Sequence, residues 1–166
     1  MDTAIELELV DYKADRVDRL RVAWDSLHRV HMGIAPQVAG IPVRQVEDAW
    51  RARLNKYLRW LEEPSAFAIG AHFNGEVAGY VMGRLSEGYA GWAMSQMVGR
   101  VETLAVVEGM RGKGVGSSLM TEAEGRFKKL GASASTLSVI AQNGAAIEFY
   151  GQRGYSMASV ELIRHL

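Results

Sequence analysis

Residues 101–119 read VETLAVVEGMRGKGVGSSL, and this stretch, from Val101 to Leu119, organises the chain. In its first part Glu102, Leu104 and Val106 fall on one face of a strand, and Thr103, Ala105 and Val107 fall on the other. Arg111-Gly112-Lys113-Gly114-Val115-Gly116 then places three glycines and two cations within six residues. From Val115 the apolar spacing becomes helical, through Leu119, Met120, Ala123, Phe127 and Leu130. A strand, a glycine turn and a helix start let the backbone approach a ligand closely. They also aim unpaired N–H groups and the positive end of the helix dipole at one point, which suits an anion, most often phosphate.

Related glycine motifs fit less well. A nucleotide P-loop needs G-x-x-x-x-G-K-[ST]; Gly109 and Gly114 supply the glycines, but Val115 and Gly116 stand where Lys and Ser/Thr belong. A dinucleotide fingerprint needs G-x-G-x-x-G; Gly112 and Gly114 fit, the third position is Ser117, and the next strand, Leu137-Ser138-Val139-Ile140-Ala141, has no acidic residue for a ribose. The pattern that fits is R-x-x-G-x-G, carried by Arg111, Gly114 and Gly116.

Composition bounds the rest. The 166 residues imply one domain, 1–166, and 48% hydrophobic residues provide for a sizeable core. Lys plus Arg and Asp plus Glu are both 19, so no large basic field points to nucleic acid. The chain has no cysteine, which excludes disulfides, thiolate metal sites and a cysteine nucleophile. The acidic start MDTAIELELVD is unlike a signal peptide, and no apolar run approaches a membrane span, so a cytoplasmic location and no membrane partner are expected.

Outward from the centre, Ile5, Leu7 and Leu9 alternate as a short strand. Asp15, with Asp18, is placed to cap a helix whose apolar stripe is Val17, Leu20, Trp24, Leu27 and His31. His28 and His31 lie three apart with no third ligand nearby, so packing is expected rather than metal. Residues 32–43, MGIAPQVAGIPV, read as an irregular apolar connector or as a wall of a binding cleft. A second helix is expected from Gln45 to Glu62, ended by Pro64. Asn74-Gly75 between two strand-like runs predicts a hairpin with a type I′ turn, and His72 beside it an exposed strand position. Residues 86–97, SEGYAGWAMSQM, form a glycine-rich loop whose Tyr89 and Trp92 suit a substrate wall, a dimer contact or a flap over the core. After the central motif, Gly131 closes its helix, Ser135 to Ala141 form a strand, Asn143 opens a short helix, and a last strand runs to about Arg164. The order β-α-α-β-β-β-α-β-α-β predicts a mixed sheet with helices on its faces.

Several spaced features resemble the GNAT superfamily of N-acetyltransferases: Leu104-Ala105-Val106 before the glycine loop, Asn143-x-x-Ala146-x-x-x-Tyr150, and Gly154-Tyr155 where the family has Gly-Phe. The element order agrees along the chain, while the motifs lie between about residues 100 and 155. The resemblance implies an α/β fold with a central mixed, largely antiparallel sheet, a splayed parallel strand pair and helices on both faces. It implies acetyl-CoA as co-substrate, with no metal. The backbone of Gly112, Lys113, Gly114, Val115, Gly116 and Ser117 would hold the pyrophosphate, with charge from Arg111 and Lys113. Leu104 and Val106 would pair with the pantetheine, the Val106 N–H facing the acetyl oxygen, and Asn143, Ala146 and Tyr150 would line the same cofactor.

The implied reaction is direct attack of an amine on the thioester. Glu102 is the candidate base, read as lying on the same strand face as Leu104 and Val106, and Tyr150 is the candidate acid for the leaving thiolate. Their structural alternatives are an ion-paired glutamate and a packed aromatic; for Asn143 the alternative is a helix N-cap. The acceptor is a small-molecule amine or a peptide. The competing function is a non-catalytic acyl-CoA-binding sensor or partner module. After the Gly-Phe position only Ser156 to Leu166 remain, too short for the family's terminal hairpin, so either the hairpin is reduced or a homodimer partner completes a strand.

Overall fold

The computed structural model describes residues 7–166. The Ile5 end of the expected first strand lies outside them. Strand β1 (Leu7–Tyr12) leads through a 3-10 turn (Val17–Leu20) into helix α1 (Arg21–Ile34). Two-residue strands β2 (Gln37–Val38) and β3 (Ile41–Pro42) precede α2 (Val46–Trp60). Strands β4 (Phe67–Phe73), β5 (Glu76–Glu87) and β6 (Met97–Val106) follow, then α3 (Val115–Lys129), β7 (Ser135–Leu137) and α4 (Gly144–Gln152). The main sheet has the order β1-β4-β5-β6-β7; all pairs are antiparallel except β6 with β7. The expected mixed, largely antiparallel sheet with one parallel pair is therefore observed.

Each face of the sheet carries its own core. One holds Val17, Leu20, Trp24, Trp50, Tyr57, Tyr80, Met82 and Ala105, packed by α1 and α2. The other holds Ile69, Val81, Val101, Val115, Leu119, Met120 and Phe127, packed by α3, with Phe149 and Tyr150 of α4 alongside. Gly79 admits α3 to the sheet: a Cβ there would lie 2.7 Å from the Ala105 carbonyl and 3.1 Å from Val115.

Local signals appear where local chemistry decides. Asn74 and Gly75 both have positive φ (52° and 82°), as a type I′ turn requires, and they join β4 to β5. Gly131 closes α3 at φ 86°, with the Ala132 N–H bonded to the Phe127 carbonyl.

Four expectations are corrected. Asp15 makes no capping bond, because a 3-10 turn intervenes before α1. The apolar connector contains a small hairpin, turned by Ala39 and Gly40 at positive φ. His72 is not simply exposed; its Nε2 meets the Tyr12 hydroxyl at 2.7 Å. No strand follows α4: Met157, Val160 and Leu162 are 80%, 73% and 89% exposed, since β7 is only three residues long and these side chains find no sheet to join.

Candidate active site

The site is built where β6 outruns β7. The parallel pairing covers Gly99 with Ser135, Arg100 with Thr136 and Val101 with Leu137, and then stops. Residues 102–106 of β6 thus keep β5 on one side and have no strand on the other. The Val107 N–H donates to the Ala78 carbonyl of β5 at 2.9 Å. Successive strand amides alternate between edges, so the Val106 N–H, and the Leu104 N–H below it, point into the open notch.

A bulge makes this possible. Thr103 pairs with Met82 and Val101 with Gly83, leaving Glu102 with no opposite residue. Gly99 and Val107 are eight apart and would share an edge in a regular strand. Instead the Gly99 N–H bonds the Ala134 carbonyl beside β7, while the Val107 N–H bonds β5. The extra residue reverses the alternation between them.

The same bulge corrects the placing of Glu102. Leu104 and Val106 pack into the α3-side core. Glu102 turns to the α2 side, where its Oε1 accepts from Arg84 Nε at 2.8 Å. Arg84 in turn reaches Glu63 at 3.2 Å and lies over the Trp60 ring, 5.1 Å from its centroid. Glu102 and Leu104 therefore occupy opposite faces, because the bulge spends one residue without advancing the pairing.

Beyond Val106 a short turn (Glu108–Met110) leads to the glycine loop. Gly112 and Gly114 have φ of 73° and 81°, a left-handed conformation that strongly favours glycine. Gly114 is the N-cap of α3 and no side chain caps that end. The first amides of α3, from Val115, Gly116 and Ser117, are thus free of the bonds that a Ser or Asp cap would make. The Val115 side chain is buried and contributes backbone only. A Cβ on Gly116 would lie 3.4 Å from Phe149 and 3.7 Å from Val106, so this glycine brings α3, α4 and the notch together. The loop's conformation and unfilled amides fit a pyrophosphate.

The two cations differ. Arg111 donates to the Ser26 carbonyl of α1 at 3.2 Å, tying the loop to that helix, whereas Lys113 stays exposed and near Met110. Asn143 is the N-cap of α4, its Oδ1 accepting from the Ala146 N–H at 3.2 Å. The N-x-x-A spacing is thus also a capping spacing, from the cap to the third helical residue. Tyr150 lies in the α3-side core between Phe149 and Tyr155, at ring distances of 5.1 and 5.7 Å. Burial, followed by the neighbouring Tyr155, pushes its phenol up to about 12. Its hydroxyl makes no hydrogen bond among the described residues.

Other candidate positions fall outside the notch. His28 stacks on Trp24 at 4.8 Å and its Nε2 meets the Arg44 carbonyl at 3.1 Å. Among the described residues, no group of three or more His, Cys, Asp or Glu is placed to hold a metal ion, and no helix is long and apolar enough to cross a membrane. Tyr89 and Trp92 line a cavity of about 440 Å³ with Met94 and Tyr155, next to Ser135 at the start of β7. Ser135 pairs with Gly99 toward the other end of β6, about 20 Å from Val106 at the usual strand rise once the bulge residue is left out. Sequence reasoning allowed for an ion-paired Glu102 but did not identify Arg84 as its partner, because the facing of β5 on β6 around the bulge is not legible in either strand alone.

Comparison with known proteins gives a consistent answer. A family model described as the Acetyltransferase (GNAT) family matches residues 24–155. An N-alpha-acetyltransferase of Sulfurisphaera tokodaii is 29% identical over 113 residues, a match spanning 66% of this chain and 66% of that protein. An acetyl transferase from Pyrococcus furiosus superposes with a TM-score of 0.74 at 19% identity, covering 97% of this chain and 100% of that one. An aminoglycoside N-acetyltransferase in complex with CoA superposes with a TM-score of 0.71 at 14% identity, covering 100% and 98%. At such identities the solved structures speak for the fold, and it is the family model, over most of the length and across both the notch and the glycine loop, that places the chain: it belongs to the Acetyltransferase (GNAT) family of N-acetyltransferases.

Proposed function

We propose that the protein transfers the acetyl group of acetyl-CoA directly to an amine acceptor. The observation that carries this reading is the Val106 N–H aimed into an unpaired notch that opens toward the uncapped start of α3. The amides of Gly112 to Ser117 hold the pyrophosphate, with Lys113 adding charge. Leu104 and Val106 offer their open edge to the pantetheine as a neighbouring strand would. Asn143 has its Oδ1 committed to the cap, and its side-chain NH₂ donates to the same chain of amides; Ala146 and Tyr150 form the wall opposite.

Bound acetyl-CoA supplies the thioester. The Val106 N–H donates to the acetyl oxygen as negative charge develops there. Glu102 takes the proton of the attacking amine, directly or through one water, by Oε2, the oxygen that Arg84 leaves free. A C–N bond forms, the C–S bond breaks, and Tyr150 gives its proton to the departing sulfur. Because of the bulge, base and acid stand on opposite faces of the sheet. The amine then approaches from the α2 side while the thiolate leaves toward α4. A phenol held near 12 stays protonated across the neutral range, as a donor must.

The likeness to an N-alpha-acetyltransferase makes a peptide α-amino group the first acceptor to test; a small-molecule amine is the second. Free thiol release from acetyl-CoA, with a panel of peptides and small amines, tests the reading. Turnover with any acceptor supports it. Tight acetyl-CoA binding by calorimetry with no turnover across the panel would instead indicate an acyl-CoA-binding module, and no binding at millimolar acetyl-CoA would remove both.

A further inference from the structure

The bulge at Glu102 decides which way the Val106 amide points, yet a bulge weakens the ladder that should hold it. Both bulge residues are tied to the same helix, Thr103 directly and Glu102 through Arg84 of β5. The Tyr57 hydroxyl of α2 donates to Thr103 Oγ1 at 2.6 Å. With that proton committed, the Tyr80 hydroxyl of β5 donates to Tyr57, 2.8 Å away. Three residues further along α2, Trp60 carries the Arg84 guanidinium that holds Glu102, and Glu63 just past the helix holds the same guanidinium from its other side. Tyr57 and Tyr80 are wholly buried and Thr103 is 6% exposed.

Packing alone does not call for these hydroxyls. They sit in an otherwise apolar cluster with Leu20, Trp24, Trp50 and Met82. Phe, Phe and Val would fill much the same space, and replacing both partners of a buried hydrogen bond with apolar groups is often close to neutral. What a satisfied buried network adds is a single allowed arrangement. Here the arrangement in question is strand register. Without the extra residue, positions 104 and 106 would turn toward α1 and α2, and their amides would turn from the notch to β5.

We propose that α2 is the register clamp of the site, and that Tyr57 and Thr103 are positioning residues that fix the direction of the Val106 N–H. They touch neither substrate. They act through the backbone between Glu102 and Val106, so their loss loosens the amide that meets the acetyl oxygen and spares the glycine loop that holds the pyrophosphate. The inference rests on the acetyl-transfer reading given above.

The test compares Tyr57→Phe, Thr103→Val and Thr103→Ser. The first two are expected to lower kcat by about 10- to 100-fold, as a small misplacement of a reacting group does, with the KM for acetyl-CoA held within about twofold. Thr103→Ser, which keeps the hydroxyl, is expected to recover most of kcat. The double variant should be no worse than Tyr57→Phe alone, because that change already removes the Tyr57–Thr103 bond. Ile69→Val, in the other core, is the stability control and should leave kcat unchanged. In ¹⁵N-labelled protein the Val106 amide signal should move in Tyr57→Phe and Thr103→Val and stay near its wild-type position in Thr103→Ser. Variants that lose melting temperature but keep kcat, or a kcat loss matched by a rise in the KM for acetyl-CoA, would overturn the clamp. If Tyr57→Phe does not fold, the Thr103 pair decides. If the wild type shows no transfer, the functional reading fails and the clamp is judged by the amide signal alone: an unmoved Val106 resonance ends it.

Discussion

Arg84 Nε donates to Glu102 Oε1 at 2.8 Å across the β5–β6 pair, with the Glu102 side chain only 12% exposed. The pair fixes one oxygen and leaves the other for a proton. Glu102→Gln keeps the shape and removes the proposed base. We expect kcat to fall by roughly 10²-fold or more, in the range found for general-base loss, with the KM for acetyl-CoA little changed. Steady-state kinetics with a saturating amine measures it. An unchanged kcat would remove Glu102 from the base role and leave it as Arg84's partner only.

Tyr150→Phe removes the proposed acid while keeping the ring between Phe149 and Tyr155. We expect kcat to drop by about 10- to 100-fold and the acetyl-CoA Kd to move by less than about threefold, the pattern of an interaction made only in the transition state. Calorimetry beside kinetics separates the two.

The same phenol predicts a pH dependence of stability. Burial raises it from 10 in the unfolded chain to about 12 in the fold. Between those values the folded state holds a proton that the unfolded state has released. Its stabilisation is therefore full below about pH 10 and is lost as pH rises to about 12, on the order of 2–3 kcal/mol for this group. Tyr57 and Tyr80 are raised by burial as well and act in the same direction. Denaturant midpoints at about pH 9 and about pH 11 should show the wild type losing more stability than Tyr150→Phe.

On the acid side His31 is held below its ordinary 6.5 by burial, then by His28 and Arg53. The neutral ring is favoured, so its contribution is present above about pH 6.5 and is lost as pH falls through the lowered value. His31→Gln should flatten the decline of melting temperature between about pH 7 and about pH 5; an identical decline would place the acid sensitivity elsewhere.

Gly114 stands at φ 81° with nothing within 4 Å of where a Cβ would be. Gly114→Val therefore costs strain of roughly 1–2 kcal/mol rather than a clash within the protein. The added side chain meets the ligand instead. Acetyl-CoA affinity should fall by more than about tenfold, well beyond the fall in stability; equal effects on both would mean that the loop does not hold the pyrophosphate.

What the sequence by itself determined are the features with short-range causes. Asn74-Gly75 makes its turn because two adjacent positive φ angles favour those residues, and Gly112 and Gly114 shape the loop for the same reason. Asn143 caps α4 through an amide three residues away. The helical spacing after Val115 buries Leu119, Met120, Ala123 and Phe127 as it predicts, while Leu130, at the C-cap where the helix ends, is exposed. Only the tertiary structure decided the rest. Alternation along β6 put Glu102 beside Leu104 and Val106, but register is a property of two strands, and the unpaired residue that reverses the face is seen only against Met82 and Gly83 of β5. Arg111 found the α1 carbonyl of Ser26 from 85 residues away, and residues 156–166 formed no strand because a strand requires a neighbour that β7 is too short to be. Local dihedral preference is written in adjacent residues. The direction of the Val106 amide, on which the proposed chemistry turns, is set by pairing and packing between segments far apart in the chain.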